Sequence, residues 1–507
     1  MPATECLDRM GVRSDERFVT TEDETLSNAN VLSAIQLGPI DDRTPSQRRA
    51  EKLFQYFVIV AGLIGLTVAF ASGRVFERFS LWQTAWGSSF WIMSLAYGGL
   101  MYAVLVWRVI LWRRYRPMEA VPDEQLPFVS VIIPAFNEGA LVKQSILSVA
   151  ASNYPTDRLE IIAIDDGSAD DTWLHILTAA RQGEKRVKIH TLRQPTNKGK
   201  REALVLGFDK GRGDVFVTID SDSMIHADAL RNGVTPLVRD PRIGCVAGCV
   251  EVMNPRQSIF TRFLKCTFSL SFKFVRAYQS EFRGVFCTPG ALSIYRADFV
   301  RKVADEWASQ QFLGQRCTTG EDRAMTNLFL REGWLTAYQG NAVVWSKMPH
   351  TYMGLVMMLL RWARSNIRET IVLFRFMFTR FRGAYLNTFR FNMIVTALTL
   401  FMPVLLIGNS IVLLATAEGY ALHQLGMVMT YAMIMSVIYY KSERDLDWVW
   451  LFLYEFFWVA CLSWVMPYAA LTLRNTGWLT RGVSRASSPP QLPEPSSQPV
   501  PALAVAG

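Results

Sequence analysis

Two aspartates close an apolar run in the stretch DVFVTIDSDSM at residues 214–224. Because Asp220 and Asp222 are separated by a single residue, their carboxylates repel each other unless positive charge lies beside them. A divalent cation that also binds substrate phosphates would offset this repulsion, and Mg²⁺ or Mn²⁺ suits such a site. The alternative is that the aspartates cap a following helix that starts near His226. The spacing makes Asp220 and Asp222 candidate metal ligands.

A second acidic pair, Asp165 and Asp166, closes the run EIIAIDDGS. In this region short β-rich runs alternate with helical patterns near 140–152, 170–182 and 200–210. Strands separated by helices of this length predict crossover connections and a mostly parallel sheet with helices on both faces. Ligands bind outside the carboxyl ends of the strands in such sheets. We therefore expect the two acidic pairs to converge on one rim.

Seven short motifs extend from residue 129 to residue 370. They are VSVIIPAFNE (129–138), IDDGS (164–168), NKGKREAL (197–204), DSD (220–222), CTPGAL (287–292), TGEDR (319–323) and RWARSNIRET (361–370). In this order the set resembles the processive, membrane-embedded inverting glycosyltransferases of family 2, which have the α/β GT-A fold. GEDR followed by RWARS, and the late TLRNTGWLTR (472–481), are most similar to hyaluronan synthases and nodulation-type chitooligosaccharide synthases.

On the donor side, the resemblance implies a nucleotide-sugar site. Asp165 and Asp166 would hold the uracil and ribose of a UDP-sugar. Asp220 and Asp222 would form the DxD motif that binds Mg²⁺ or Mn²⁺, with Asp222 as the more direct ligand and Asp220 also contacting the donor. The other residues expected to bind the nucleotide or its diphosphate are Lys198, Lys200, Arg201 and Arg361. For the first three, the alternative is a solvated charge near a helix start.

On the acceptor side, the resemblance selects Asp322 in TGEDR as the general base. An inverting transfer needs a carboxylate that takes a proton from the acceptor hydroxyl as it attacks the anomeric carbon opposite UDP. Consecutive side chains on a helix point about 100 degrees apart, so we expect only one of Glu321 and Asp322 to serve as this base. Alternatively, both acids simply favour a helix N-terminus. The residues expected to line the acceptor site are Gly290, Trp362 and Glu321.

The family motif QxxRW is incomplete in this chain, because Met358 stands where the motif has glutamine. Methionine cannot supply the donors and the acceptor of an amide. A different acceptor, a weaker hold on the growing chain and a non-processive enzyme are the alternatives that this departure leaves open. Arginines also recur every seven residues from Arg361 to Arg382, which predicts an amphipathic helix on a membrane surface. Contact with lipid phosphates is expected for Arg375 and Arg382.

The 507-residue chain is 50% hydrophobic and only 19% charged. Residues 53–72 and 88–107 lack charges and are long enough to cross a hydrocarbon layer as helices. Further candidate spans are 391–417, 420–440 and 448–473, one of which could be re-entrant near Pro403 or Pro467. Arginines that follow the second segment place the intervening domain in the cytoplasm by the positive-inside rule.

The sequence thus predicts a soluble domain inserted between membrane segments. In chain order these are a flexible cytoplasmic tail (1–50), two transmembrane helices (51–116), a cytoplasmic GT-A domain (120–348), amphipathic interfacial helices with the RW motif (349–388), about three transmembrane helices (389–474) and a Pro/Ser-rich tail (475–507). The seven cysteines include no CxxC pair, which argues against a zinc site or a disulfide framework.

These features predict a UDP-sugar-dependent hexosyltransferase of the inner (plasma) membrane. It would transfer a sugar, expected to be N-acetylglucosamine, to a growing polysaccharide or oligosaccharide, with coupling to export. Its expected partners are the UDP-sugar, the glycan acceptor and the lipid bilayer. The net charge of +9 does not indicate nucleic acid, because the excess arginines lie beside apolar segments. The alternatives are a hyaluronan-type, glucan or other exopolysaccharide synthase, a non-processive lipid-linked sugar transferase, or a non-catalytic transporter or scaffold.

Overall fold

The computed structural model describes residues 44–71, 85–400 and 420–475. Both predicted tails, apart from residues 44–50 and 475, and the predicted bend at Pro403 lie outside the described residues. The strands are β1 Val129–Ala135, β2 Leu159–Asp165, β3 Lys188–Arg193, β4 Val215–Thr218, β5 Ser223–Ile225, β6 Ile243–Val252, β7 Ser293–Arg296, β8 Gln311–Phe312, β9 Gln315–Arg316 and β10 Leu335–Ser346.

Eight of these strands form one sheet in the order β3-β2-β1-β4-β7-β6-β10-β5. The first four strands are parallel to one another, as the alternation of strands and helices predicts. In the other half, β7 runs antiparallel to both β4 and β6, and β5 runs antiparallel to β10. In this half only β6 and β10 run parallel to each other. The sheet is therefore mixed, and the prediction of a mostly parallel sheet is confirmed throughout the first half and only for β6 and β10 in the second.

Fifteen named α-helices precede, connect or follow these strands within the described residues. They are α1 Pro45–Ala71, α2 Ala85–Arg114, α3 Leu141–Ala150, α4 Thr172–Gly183, α5 Lys200–Lys210, α6 Ala229–Arg239, α7 Ile259–Ser269, α8 Ala277–Glu281, α9 Ala297–Ala308, α10 Glu321–Arg331, α11 Tyr352–Phe374, α12 386–400, α13 Tyr420–Glu443, α14 Trp448–Phe457 and α15 Val465–Leu471. The predicted helices near 140–152, 170–182 and 200–210 are confirmed as α3, α4 and α5. The segment Leu270–Arg276 between α7 and α8 is a π-helix.

Helices cover both faces of the sheet. Every residue of β1 is buried, and its side chains alternate between two apolar clusters. Val131 and Ile133 pack with Ile146 of α3 on one face, whereas Ile132 packs with Phe208 of α5 on the other. This two-sided burial explains why the strand reads as a continuous apolar run rather than an alternating one.

The segments predicted to span a membrane are helical where the structure describes them. The first helix begins at Pro45, six residues before the predicted boundary at 51. Among described residues, no unbroken helix passes a length-and-hydropathy criterion for crossing a membrane, although the pair Trp448–Leu462 and Val465–Leu471 passes it jointly with a bend of 45°. This bend lies close to Pro467.

The arginines of the heptad stripe do not share one exposed face. Arg368 is buried and donates to the Thr319 carbonyl oxygen, and Arg382 is buried with its guanidinium donating to the carbonyl oxygens of Phe282 and Arg283 at 2.9 Å each. Arg375 is exposed. The predicted lipid contact is therefore wrong for Arg382, because its hydrogen-bonding capacity is used inside the protein.

Candidate active site

The candidate active site lies where the chain leaves β2 and β4. Both strands run parallel to β1, which lies between them, so their carboxyl ends meet at one edge of the sheet. Asp165 is the last residue of β2, and the Asp220–Asp222 motif begins two residues after β4 ends. The two acidic pairs thus lie on the same rim, as the sequence predicts.

Asp165 is fully buried at this rim. Its Oδ1 accepts a hydrogen bond from the Ser168 amide at 3.0 Å, and its Oδ2 lies 3.0 Å from Arg193 Nε. The Arg193 guanidinium also stacks over the ring of Trp173, with 5.6 Å to its centroid. Asp165 therefore anchors a cation and an aromatic ring beside the open edge of the sheet.

Asp166 fixes the loop that leads into α5. Its carboxylate accepts hydrogen bonds from the amides of Lys198 and Gly199 at 2.9 and 2.8 Å, and from Gln194 Nε2 at 3.0 Å. Burial raises the pKa of Asp166. The side chain of Lys198 itself is exposed. Asp166 thereby sets the direction in which the next residue, Lys200, enters the site.

Lys200 connects the DSD motif to the TGEDR motif. Its Nζ lies 2.6 Å from Asp220 Oδ1 and 2.7 Å from Glu321 Oε1. Burial alone would lower the pKa of Lys200, but the charges of Asp220 and Glu321 outweigh burial and raise it. Burial would likewise raise the pKa of Glu321, yet Lys200 lowers it to about 2. Glu321 is thus held as a carboxylate by Lys200 and is poorly suited to accept a proton.

Asp222 has less positive charge beside it than Asp220, which pairs with Lys200. Ser223 Oγ donates to its Oδ1 at 3.3 Å. Burial and then the neighbouring charge of Asp220 raise the pKa of Asp222 to about 6. The residues after the motif form β5, and the next helix begins at Ala229. The alternative in which the aspartates cap a helix near His226 is therefore excluded.

Asp322 lies in the first turn of α10 and is oriented by three donors. Its Oδ1 accepts from the Arg323 amide at 2.7 Å, while its Oδ2 is 3.3 Å from the Gly290 amide and 3.6 Å from Cys287 Sγ. Burial and then the charge of Glu321 raise the pKa of Asp322. Cys287 was not among the predicted site residues, although it lies in the CTPGAL motif. The surroundings thus lower the pKa of Glu321 and raise the pKa of its neighbour Asp322.

Gly290 lies between the two acidic groups of the site. Its amide contacts Asp322, and a Cβ added to it would lie 2.9 Å from Lys200 Nζ and 3.6 Å from both carboxylate oxygens of Asp220. A side chain here would therefore enter the space next to Lys200. Glycine keeps this space open.

The family resemblance implies that UDP binds at this site. Replacing Gly290 with Ala should then weaken UDP binding about tenfold, because the added methyl group displaces the Lys200 ammonium and costs roughly one charged hydrogen bond. Calorimetric titration with UDP measures this change. Gly383→Ala is the matched control, since nothing lies within 4 Å of the position of its added Cβ. Equal UDP affinity for the two variants would show that the position of Lys200 in UDP binding does not depend on the absence of a side chain at residue 290.

Arg201 lies outside the cluster around Lys200. It is buried, donates to the Trp307 carbonyl at 2.7 Å and stacks over the Trp307 ring at 5.2 Å. Trp307 Nε1 in turn donates to the Glu321 carbonyl at 2.9 Å. Arg201 therefore supports the start of α10 from behind, a contact between distant segments that the motif NKGKREAL does not reveal.

The residues of the RW motif lie on α11. Trp362 is 36% exposed, and its ring lies 5.7 Å from that of Phe268. Arg361 is half-buried. Met358, in contrast, is buried in the apolar core. A glutamine at position 358 would need polar partners among apolar neighbours, so the departure from the motif is accommodated by packing.

The described residues contain no group of three or more His, Cys, Asp and Glu side chains that could hold a metal ion unaided. Asp220 and Asp222 nevertheless suit a hard divalent cation, which takes one or two carboxylates and completes its shell with substrate phosphates and water. Burial and then the neighbouring charge of Asp220 raise the pKa of Asp222, and a bound cation would balance the charge of both carboxylates. The donor set at the rim therefore fits such an ion.

Comparison with known sequences identifies one family. The model described as "Glycosyltransferase like family 2" matches residues 127–365. An N-acetylglucosaminyltransferase of Rhizobium meliloti is 32% identical over 255 residues, which are 50% of this chain and 59% of that relative. An N-acetylglucosaminyltransferase of Azorhizobium caulinodans is 30% identical over 358 residues, 70% of this chain and 87% of the relative.

Among solved structures, a mannosyltransferase from Pyrobaculum calidifontis in complex with GDP-Man and Mn²⁺ superposes with a TM-score of 0.52 at 20% identity, covering 73% of this chain and 98% of that one. This likeness supports the fold. The sequence matches support the family, since the second relative is aligned over most of its own length. The chain belongs to glycosyltransferase family 2.

Proposed function

We propose that this chain is an inverting β-glycosyltransferase that transfers N-acetylglucosamine from UDP-N-acetylglucosamine to a hydroxyl of a growing glycan. The observation that carries the proposal is the position of Gly290, which touches Asp322 on one side and faces Asp220 and Lys200 on the other. A reacting sugar next to Gly290 would have a carboxylate base on one side and phosphate-binding groups on the other. The choice of sugar rests on the relatives named N-acetylglucosaminyltransferases.

In the proposed reaction, Asp322 takes the proton of the acceptor hydroxyl while that oxygen attacks the anomeric carbon. The bond from this carbon to the diphosphate oxygen breaks, and UDP leaves with the electron pair. Lys200, already placed beside Asp220, faces the leaving diphosphate. Asp165, Asp166 and Arg193 lie at the rim where the uridine would bind. Trp362 offers an exposed aromatic face to the acceptor sugar.

A divalent cation, Mg²⁺ or Mn²⁺, held by Asp220 and Asp222 would supply charge neutralisation on the leaving diphosphate. Lys200 would add a second positive charge on the same side. Glu321 is the second carboxylate that holds Lys200, with its Oε1 2.7 Å from Lys200 Nζ. The proposed role of Glu321 is therefore to hold Lys200, in addition to the acceptor contact implied by the family resemblance.

The pH dependence of the transfer should reflect the raised pKa of Asp322. Because a base acts in its unprotonated form, kcat/KM should fall as the pH falls through a pKa above the ordinary aspartate value. Glu321→Gln should move this acid limb to lower pH, since Glu321 is one cause of the raised pKa. Profiles of kcat/KM against pH at saturating Mn²⁺ measure the acid limb of the wild type and that of Glu321→Gln. An acid limb that stays in place in Glu321→Gln would contradict the assignment of Asp322 as the titrating group.

We further propose that the chain is a multi-pass protein of the inner (plasma) membrane with its catalytic domain in the cytoplasm. In α1 the side chains of Leu53, Phe57, Val60 and Ile64 are each more than half exposed and recur at helical spacing. An exposed apolar stripe of this length suits contact with lipid. The domain boundaries given above are part of this proposal.

The proposal is tested with purified full-length protein in nanodiscs that receives radiolabelled UDP-N-acetylglucosamine, UDP-glucose and UDP-glucuronate singly and in pairs with Mg²⁺ or Mn²⁺. Label from UDP-N-acetylglucosamine alone should enter products that are resolved by size. A requirement for UDP-glucuronate as well would instead assign a hyaluronan-type synthase, and use of UDP-glucose alone would overturn the proposed sugar. Products one sugar longer than a lipid acceptor would identify a non-processive transferase.

A further inference from the structure

The turn that presents Glu321 and Asp322 rests directly on α11. Gly320 has φ of +71°, and a Cβ added to it would lie 2.7 Å from Ser365 Cβ and 2.8 Å from Arg368 Nη2. Thr319 Oγ1 lies 3.2 Å from Ser365 Oγ, and Arg368 Nη2 donates to the Thr319 carbonyl. The backbone before Asp322 is thus packed against α11 more closely than a side chain at position 320 would allow.

A buried carboxylate holds this contact together from the side. Glu369 is fully buried. Its Oε1 accepts from Arg368 Nε at 2.9 Å and from Gln310 Nε2 at 3.1 Å, and its Oε2 accepts from Asn327 Nδ2 at 3.0 Å. The carboxylate therefore ties together α11, α10 and the segment before the β8-β9 hairpin. Arg368 is oriented by the same carboxylate toward the Thr319 carbonyl.

A second set of bonds joins the same two helices. Arg323, the residue after Asp322, donates to Asn366 Oδ1 at 2.7 Å and to Thr370 Oγ1 at 2.8 Å. The helix α11 also carries Trp362, two turns before Glu369. The base and the proposed acceptor face are therefore parts of one unit whose internal contacts are polar and buried.

Buried ion pairs are a weak source of stability, because removing two charges from water costs about as much as their attraction returns. A well-packed apolar pair would stabilise the same helix contact as effectively. Directional hydrogen bonds, however, fix the relative position of two elements more narrowly than apolar packing does. The Arg368–Glu369 pair thus has features expected of a positioning device.

We propose that Glu369 and Arg368 are positioning residues for glycosyl transfer, which seat the Thr319–Gly320 turn on α11 and so set the position of the Asp322 carboxylate relative to the acceptor face at Trp362. The inference rests on the proposed function, in which Asp322 is the base. If the contacts between this turn and α11 are weakened, an acceptor sugar held at Trp362 no longer presents its hydroxyl to Asp322. Water is small and mobile, so the side reaction in which water attacks the donor and releases UDP is less affected.

The test uses the full-length protein in nanodiscs and the double variant Arg368→Met/Glu369→Met, which replaces the ion pair by apolar groups. The Gln310 and Asn327 amides lose an acceptor in this variant, so its melting temperature is measured beside its activity. Transfer to glycan should fall about 10- to 100-fold, as for a small displacement of a catalytic group. The KM for the donor should stay within about twofold, and the ratio of transfer to hydrolysis should fall. Glu369→Gln, which keeps an oxygen acceptor, should show a smaller loss in the same direction.

Glu160→Gln is the matched control. Glu160 is also fully buried and accepts from Ser130 Oγ and Arg212, but it lies near the amino end of β2, away from α11. Its substitution should lower the melting temperature and leave the ratio of transfer to hydrolysis unchanged. If Glu160→Gln lowered this ratio as much as the double variant, a general loss of stability would explain the effect and the inference would be overturned.

Hydrogen–deuterium exchange at residues 318–323 provides a measurement that does not depend on activity. Faster exchange of this turn in the double variant is expected, because the bond to the Thr319 carbonyl is lost. Unchanged exchange would overturn the inference even if the wild-type enzyme transfers sugar. Absence of transfer by the wild-type protein, with the turn loosened in the variant, would instead overturn the proposed function and leave the seating of the turn intact.

Discussion

Replacing Asp322 with Asn should lower the rate of sugar transfer by about a thousandfold, in the middle of the range that general-base catalysis supplies. The amide cannot take a proton from the attacking hydroxyl. It has nearly the same size as the carboxylate, and its one oxygen can still accept from either the Gly290 or the Arg323 amide. The other contacts of the turn are unchanged, so the turn should keep its shape. UDP affinity should therefore remain close to that of the wild type, and the loss should appear in kcat.

The transfer rate is measured with labelled donor at saturating acceptor, and UDP affinity is measured in parallel by calorimetry. Asp209→Asn is the control, since Asp209 is exposed and pairs with its neighbour Lys210 on the surface. Turnover by Asp322→Asn within tenfold of the wild type would rule out Asp322 as the base. An equal loss in Asp209→Asn would point to a defect of preparation.

Replacing Asp222 with Asn should weaken binding of Mn²⁺ in the presence of UDP by about 100-fold or more, since even indirect supports of a metal site typically cost 10- to 100-fold. Transfer should fall in parallel and recover in part at high Mn²⁺. Titration of Mn²⁺ with UDP bound, followed by electron paramagnetic resonance, measures the affinity directly.

The same substitution should not destabilise the metal-free protein. Burial and Asp220 raise the pKa of Asp222 to about 6 in the folded state. Because this value exceeds the ordinary aspartate pKa, ionised Asp222 destabilises the folded state. The destabilisation grows as the pH rises from about 4 to about 6 and stays constant at higher pH. Asp222→Asn removes this penalty, so its melting temperature at pH 7.5 without metal should equal or exceed that of the wild type. A lower melting temperature would show that Asp222 has a stabilising partner.

The sequence allows the parts of this site that depend on local pattern to be predicted. Apolar runs that stop at Asp165 and at Asp220 mark strand ends, and strands β1, β2 and β4 do lie side by side. The start of α10 at Glu321 follows from the two acids and the preceding glycine. These features are set by residues close together in the chain, and periodicity and capping preferences describe such residues well.

Contacts between distant segments could not be predicted in this way. The sequence suggests that Arg201 binds the nucleotide or its diphosphate and that Arg382 contacts lipid phosphates, yet both are buried against backbone carbonyls. The antiparallel placement of β7 also depends on long-range pairing that a run of four residues does not encode. Glu369 lies in the RWARSNIRET motif without an assigned role, and only the folded chain brings Gln310 and Asn327 to it.

The anomeric configuration of the product tests the central claim most directly. In the proposed mechanism Asp322 is the single base and the diphosphate leaves on the side of Asp220 and Lys200, so the transfer requires inversion. The product made from UDP-α-N-acetylglucosamine should therefore contain a β-linkage. In the NMR spectrum, the anomeric proton of the transferred sugar should show a large coupling to the proton on the next carbon. An α-linked product would require a second displacement or attack from the leaving-group side, and would contradict the assignment of Asp322 and the mechanism built on it.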